Sequence, residues 1–181
     1  MDLRKQKTIK SIKNAFLALR SKKPLYKITV KELCEMAEIS KPTFYLHYQD
    51  IYDLSDKMEM EIIDSIISGT DFVKDPFTDF SRKHSTLFQA FFSQGQILNI
   101  IFSHDRKAEF ANKLEKAFRQ KIFENFPEYK EDYKAILVID FMVYGCFHTT
   151  MMHQDIPLQE LTSVMTTCLQ KFLVSLDLLK D

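Results

Sequence analysis

Glycine, cysteine and tryptophan are scarce in this 181-residue chain, which contains three Gly, three Cys and no Trp. β-Sandwiches and barrels need many turns with positive φ, and three glycines cannot readily supply them. The cysteines are widely spaced and odd in number, so neither a disulfide framework nor a zinc knuckle is expected. Because Cys34, Cys146 and Cys168 fall on apolar stripes, we predict that they are small core residues of a cytoplasmic protein.

Several functional signals are also missing. No run of about 18 apolar residues is present, and no apolar leader follows the N-terminal lysines, so neither a membrane span nor a signal peptide is expected. The chain has no glycine-rich phosphate loop, no nucleophile elbow and no His-Glu metal motif. His148 and His153 are five residues apart, which does not suit metal ligation from one helix. We therefore predict no enzymatic activity, no cofactor and no metal.

The zero net charge conceals a strong asymmetry along the chain. Residues 1–31 hold ten Lys and Arg against one acid, and residues 32–181 carry the compensating excess of acids. A basic arm on an acidic body is typical of a protein that contacts a polyanion with one end.

Apolar periodicity predicts an all-α chain. The first stripe contains Ile9, Ile12, Phe16 and Leu19, and later Phe-rich segments repeat every three or four residues. The segment from about Asp132 to His153 is apolar nearly all round and must be covered on several sides. The last helix begins at Pro157 and shows apolar residues about every 3.5 positions.

Residues 29–54 form the most informative stretch. Thr29 and Glu32 form a capping box for a two-turn helix, and Ser40 followed by Pro42 begins a second short helix. Two short helices joined by a tight turn need a third helix to close a core, and the first apolar stripe can supply it. This is a helix-turn-helix arrangement, in which the second helix enters the DNA major groove.

The residues 28–33, ITVKEL, and 39–54, ISKPTFYLHYQDIYDL, resemble the DNA-binding region of TetR-type transcriptional regulators. The resemblance implies a fold with an N-terminal three-helix DNA-binding domain, residues 1–50, joined to a larger helical effector-binding and dimerisation domain, residues 51–181. It also implies a homodimer formed by the last two long helices, a palindromic operator in double-stranded DNA, and repression as the usual outcome. Carried over by position, the residues expected at the DNA are Thr29, Ser40, Lys41, Pro42, Thr43, Tyr45, Leu46 and His47.

The body is expected to hold a switch. A small apolar or aromatic effector, or a protein partner, would shift the dimer between DNA-competent and DNA-incompetent states. The predicted effector pocket comprises Phe88, Phe91, Phe92, Phe102, Phe118, Tyr144 and His148. For the Tyr144 and His148 pair the sequence leaves two interpretations open, a satisfied core pair or polar groups in a ligand cavity.

Two other classes of function stay open at this stage. A helical protein-interaction adaptor with little intrinsic DNA affinity is favoured by Pro42 and Ile51, where the family commonly has glycine and lysine. A small helical enzyme would need His84, His104 or His153 as its base.

Overall fold

The computed structural model describes residues 3–69, 77–102, 107–153 and 155–178. All regular elements of these ranges are helical, as the sequence predicted. They run in the order α1 (Leu3–Arg20), α2 (Val30–Met36), α3 (Lys41–Tyr45), α4 (Ile51–Ser68), α5 (Phe80–Ser93), α6 (Gly95–Ile101), α7 (Lys107–Asn125), α8 (Tyr133–Met152) and α9 (Leu158–Ser175).

The helices begin and end where the sequence provides caps. The Asp50 carboxylate accepts from the Asp53 N–H at 2.8 Å, and the Asp53 carboxylate accepts from the Gln49 N–H at 2.9 Å. This reciprocal pair satisfies backbone donors at the start of α4. Asp132 caps α8 by accepting from two backbone N–H groups, and Pro157 directly precedes α9.

The chain divides into two compact units. The head unit comprises Met1–Ile62 with Gln94–Lys107, and the body unit comprises Ile63–Ser93 with Ala108–Asp181. This division differs from the sequence-based boundary at residue 50, because α4 contributes residues to both units and α6 packs against α1. Pro76, the predicted start of the Phe-rich helix, lies outside the described residues.

The head unit has its own apolar core. Ile12 and Phe16 of α1 are fully buried with Leu33 of α2 and Phe44 of α3. The apolar stripe of the first helix therefore closes the two short helices, as the sequence predicted. Burial of such side chains is the main stabilising term for a unit of this size.

In the body unit, α5 packs against α9 and α8 packs against α9. Asp140 interrupts the apolar sequence of α8. Its carboxylate oxygen Oδ1 forms an ion pair with Arg119 Nη2 of α7 at 2.5 Å, and Arg119 also pairs with Glu115. The ion-pair network thus ties α7 to α8 and accounts for the one acid within the apolar helix.

The expectation that α8 is covered on several sides is wrong for the single chain. Tyr133, Leu137, Phe141 and Met152 are 68%, 62%, 58% and 64% exposed. By length and composition alone α8 could cross a membrane, although apolar core helices pass the same test. Among the described residues α8 is therefore one candidate span, which the sequence-based expectation of no membrane span did not include.

Candidate nucleic-acid interface and body cavity

A tight turn joins α2 to α3. Glu38 adopts a left-handed backbone conformation with φ of 55°, the Ile39 N–H donates to the Cys34 carbonyl at 3.0 Å, and the Glu38 N–H donates to the Glu35 carbonyl at 3.4 Å. These two bonds form the helix-terminating motif that usually places glycine where Glu38 stands. The Ser11 hydroxyl, which donates to the Ala37 carbonyl at 2.8 Å, fastens the turn to α1.

Side-chain caps fix the starts of both short helices. The Thr29 hydroxyl accepts from the Glu32 N–H at 3.3 Å, but the Glu32 carboxylate pairs with Lys23, so only half of the predicted capping box forms. The Ser40 hydroxyl accepts from the Thr43 N–H at 3.2 Å and lies 2.8 Å from the Thr43 hydroxyl. The Thr43 side chain is thereby held close to the start of α3.

The inner and outer faces of α3 are sharply different. Phe44 is fully buried, with its ring centroid 5.7 Å from that of Tyr48, which is also buried. Tyr45 is 56% exposed and Leu46 is 81% exposed. Residues 40–48, which we call the recognition segment, therefore present one side to the core and the other to solvent.

All eight residues predicted at the DNA lie at the surface or partly exposed. Thr43 and His47 are half-buried, and the remaining six are exposed: Thr29, Ser40, Lys41, Pro42, Tyr45 and Leu46. Helix α3 is shorter than the sequence suggested and ends at Tyr45, with Leu46 at its C-cap.

Ile51 does not belong to this surface. Its side chain is 5% exposed and lies in the head-unit core. Its identity is therefore explained by packing in the head unit, and Ile51 does not favour an adaptor.

Lys57, in the second turn of α4, lies beside the C-terminal end of the recognition segment. Its ammonium lies 5.3 Å from the Tyr48 ring centroid and 2.8 Å from the Asp53 carboxylate. Burial raises the pKa of the Tyr48 hydroxyl to about 12, so Tyr48 stays protonated at neutral pH. These contacts brace the C-terminal end of the recognition segment against α4.

The body unit contains a cavity of about 90 Å³. Four of its wall residues carry polar atoms: Lys83, His84, Cys146 and Thr150. The others are apolar, and six of them are phenylalanines: Ile66, Phe77, Phe80, Leu87, Phe88, Phe91, Leu114, Phe118, Ile122, Ile139, Met142, Val143 and Phe147.

The cavity wall includes only part of the predicted effector pocket. Phe88, Phe91 and Phe118 line it, whereas the other four predicted residues are absent from its described wall. Phe102 is buried in the head unit, and Phe92 packs beside Phe88 and Phe91 without reaching the cavity surface.

Tyr144 and His148 are exposed, so neither sequence interpretation, core pair or pocket group, fits the single chain. Tyr144 donates its hydroxyl to the Asn112 side chain at 2.6 Å and is 40% exposed. Both residues lie on the solvent-exposed face of α8, together with Leu137 and Phe141, which we call the open face. Cys168 is likewise exposed on α9, which contradicts the prediction that it is a core residue.

His84 is the pocket residue that sequence reasoning missed. Its ring stacks on Phe80 at 5.4 Å, tilts over Phe88 at 4.8 Å, and places Nδ1 2.7 Å from the Thr166 hydroxyl. The i, i+4, i+8 spacing of Phe80, His84 and Phe88 was the available signal, because it places the histidine on an aromatic helical stripe. Of the other candidate bases, His153 is exposed at the end of α8, and His104 lies outside the described residues.

The cavity is uncharged at His84. Burial lowers the pKa of His84 to about 4 and raises the pKa of the Cys146 thiol to about 12. The imidazole Nε2 lies 3.6 Å from the Cys146 sulfur. Both side chains are therefore neutral at physiological pH, which suits a ligand without charge at this end.

The buried histidine should make the protein acid-sensitive. An unfolded histidine takes up a proton near pH 6.5, whereas folded His84 stays neutral down to about pH 4. The unfolded state therefore binds more protons in this window, and the free energy of unfolding should fall by up to about 3 kcal/mol as the pH drops from 6.5 to 4. Urea unfolding across this range measures it.

The variant His84→Gln should lose most of that dependence, and the matched variant His153→Gln, at an exposed position, should keep it. An unchanged pH dependence in His84→Gln would show that other groups cause the acid sensitivity.

Comparison with known proteins identifies the fold. No protein-family model and no curated protein sequence matches the chain. Among solved structures, the dihydroxyacetone kinase operon activator DhaS is similar with a TM-score of 0.62 at 18% identity, covering 96% of this chain and 98% of that chain. The fatty acid degradation regulator FadR from Bacillus halodurans has a TM-score of 0.60 at 15% identity, covering 90% of this chain and 94% of that chain. The chain therefore has the all-helical fold of these two proteins.

Proposed function

We propose that the protein is a DNA-binding transcriptional regulator of the TetR type. The observation that carries this proposal is the outward-facing row on α3 beside a buried Phe44, in a unit whose first 31 residues are strongly basic. The fold shared with DhaS, named as an operon activator, and FadR, named as a fatty acid degradation regulator, supports the same class. The protein would act in the cytoplasm, where its operator lies.

In this proposal the eight residues predicted at the DNA, which we call the outer row, make two kinds of contact with the duplex. Lys41, Pro42, Thr43 and Leu46 face base edges, where donors and apolar groups read sequence. The remaining groups, Thr29, Ser40, Tyr45 and His47, contact phosphates, which position the protein without specifying sequence.

Tyr45 gives a direct test of this division. The variant Tyr45→Phe keeps the ring that packs edge-on against Phe44 at 5.5 Å and removes only the hydroxyl. We expect binding to operator and to random duplex to weaken by the same factor, about fivefold for one hydrogen bond. Fluorescence anisotropy with both duplexes measures it, and a loss confined to one operator position would show that Tyr45 reads a base instead.

We propose that the open face of α8 is covered by a second copy of the chain. Its exposed side chains recur at intervals of four, four, three, four and four residues: Tyr133, Leu137, Phe141, Tyr144, His148 and Met152. The exposed face of the adjoining α9 adds Val164, Cys168 and Val174. Two such helix pairs can form a four-helix bundle around a twofold axis.

A second copy suits this face better than lipid does. The stripe contains His148 and the Tyr144 hydroxyl, and Arg119 pairs with Asp140 on the same helix. Polar groups of this kind are costly in a bilayer core but are common in protein interfaces. The twofold axis would also make the operator palindromic, with half-sites about 34 Å or a multiple of that apart.

We further propose that the body cavity binds a small uncharged apolar or aromatic effector. The empty cavity is smaller than the roughly 150 Å³ that holds a benzene ring, so binding must displace aromatic side chains of its wall. Displacement of α5, α7 or α8 would then shift the population of DNA-competent dimers, with α4 as the element that both units share. Repression stays the predicted outcome of DNA binding.

Benzene provides a simple probe of the cavity. At about ten times its dissociation constant it should raise the melting temperature by about 3 °C through preferential binding to the folded state. The variant Val143→Phe, which places a ring in the cavity, should abolish this shift. A wild-type melting temperature that is insensitive to benzene would argue against an aromatic effector.

The adaptor remains the second candidate, and Pro42 is the observation that favours it. Proline replaces the small glycine that would let the backbone approach bases closely. A gel shift on the DNA upstream of the gene separates the two functions, because a DNA-binding head loses affinity steeply with salt and an adaptor binds weakly without salt dependence.

A further inference from the structure

Two exposed apolar residues of the recognition segment, Pro42 and Leu46, lie one helical turn apart. Leu46 is 81% exposed, more than any other large apolar side chain in the described part of the chain, and Pro42 is exposed as well. The Leu46 N–H donates to the Pro42 carbonyl at 3.1 Å, and Leu46 keeps a helical backbone with φ of −69° and ψ of −17°. Residues four apart on a helix share a face, so the two side chains form one apolar patch.

The same segment is poor in groups that read bases by paired hydrogen bonds. Residues 40–48 contain no Arg, Asn, Gln, Asp or Glu, the residue types that make most bidentate contacts with guanine, adenine and cytosine. Thr43 is half-buried and its hydroxyl lies 2.8 Å from that of Ser40, so one of its hydrogen-bonding positions is already occupied. Lys41 remains as a possible donor to guanine.

Two other outward side chains have contacts within the head unit. The Tyr45 ring packs edge-on against Phe44, and the centroid of the half-buried His47 ring lies 6.3 Å from that of Tyr48. Among the outer residues of α3, the unengaged apolar surface is therefore that of Pro42 and Leu46.

We propose that Pro42 and Leu46 form a thymine-reading patch that contacts the C5-methyl group of one thymine in each operator half-site. This inference rests on the proposed DNA-binding function and deepens it. The thymine methyl is the one apolar group that the major-groove edges of the four bases present, so an apolar patch can recognise thymine and no other base. Lys41 beside Pro42 and the basic sequence before α2 supply the charge that brings this patch to a duplex rather than to an acidic or neutral protein surface.

Replacement of thymine by deoxyuridine tests the contact with the methyl group directly. Uracil pairs like thymine and presents the same hydrogen-bonding edge, but it lacks the methyl group. In an operator obtained by selection from random duplexes, each thymine is replaced in turn by deoxyuridine, and the dissociation constant is measured by anisotropy. We expect one position in each half-site to weaken binding about fourfold, the effect of exposing one buried methyl group, and the other positions to change binding by less than a factor of two.

Variants assign the effect to the patch. In Leu46→Ala the ratio of affinities for the thymine and deoxyuridine operators should fall to near one at the sensitive position, whatever the overall affinity of the variant. The matched control Met60→Ala, which shortens a 41% exposed side chain on α4, should keep the fourfold ratio. Leu46 and Met60 are both exposed, so the variants are expected to fold, and circular dichroism verifies this.

The outcomes are distinguishable. Specific duplex binding that is insensitive to deoxyuridine at every position, or a ratio that survives in both Leu46→Ala and Pro42→Ala, would overturn the thymine-reading patch and leave the regulator intact. Failure of the wild-type protein to bind any duplex specifically would reject the proposed function, and the patch with it.

Discussion

A single charge on the open face of α8 should convert the protein from a dimer to a monomer. Leu137 is 62% exposed in the isolated chain and lies one turn from the start of α8, within the stripe that we propose faces the second copy. The variant Leu137→Glu would place two carboxylates, one from each copy, in an interface that excludes water. Burial of an unpaired charge costs several kcal/mol, so we expect the dimer dissociation constant to rise by at least a thousandfold.

Light scattering during size-exclusion chromatography measures this change. The variant should elute with the mass of one chain, 21.4 kDa, and wild type with twice that mass. Because glutamate is a good helix former and the position is exposed, helix content by circular dichroism should not change. Operator affinity should fall when dimerisation is lost, since a monomer has one head and makes half of the contacts.

The matched control is Met60→Glu, which adds the same charge at an exposed position of α4 away from the proposed interface. It should remain a dimer. A wild-type monomer at micromolar concentration, or a dimer that persists in Leu137→Glu, would contradict the proposed interface. In the first case, binding of the wild-type protein to lipid vesicles would show that lipid covers the face of α8.

Removal of the Phe44 ring should cost the head unit most of its stability. Phe44 has no exposed surface and contacts both Tyr45 and Tyr48 through its ring. A buried Phe→Ala substitution costs about 3–5 kcal/mol through lost burial and the cavity that remains. In Phe44→Ala the free energy of unfolding of the head should fall by this amount, and DNA binding should be lost because α3 no longer holds its outer row in place.

The conservative variant Phe44→Leu separates packing from recognition. It keeps an apolar side chain at the site and should cost less than about 1.5 kcal/mol. Urea unfolding and duplex binding should therefore both be close to wild type. An unstable Phe44→Leu variant, or a stable Phe44→Ala variant with normal DNA affinity, would contradict the role of Phe44 as the inner anchor of α3.

The sequence predicts the helices of this protein well, because their ends carry strong local signals. Ser40, Asp132 and Pro157 lie at helix starts in the structure as expected. The inward position of Phe44 also follows from sequence, since a short segment with one polar side buries the other, and Phe44 and Tyr48 lie four residues apart on it. Local hydrogen bonding and apolar periodicity decide both features, and neither depends on distant parts of the chain.

Periodicity does not distinguish a core from an interface, and this explains the errors in the body unit. Cys168 and Tyr144 lie on regular apolar stripes, yet both are exposed in the single chain. An apolar stripe predicts burial but not the partner that provides it. His84 was overlooked for a related reason, since its burial depends on Thr166 and Cys146, which are 82 and 62 residues away in sequence.

Selection of bound duplexes from a random library is the most direct test of the central claim that the outer row of α3 faces DNA once from each half of a symmetric dimer. The account predicts enrichment of a palindrome whose half-site centres are about 10 base pairs, or a multiple of that, apart, with a thymine in each half. Enrichment should disappear in Phe44→Ala and in Leu137→Glu. A wild-type dimer that enriches no sequence, or one that enriches a single unpaired site, would contradict it.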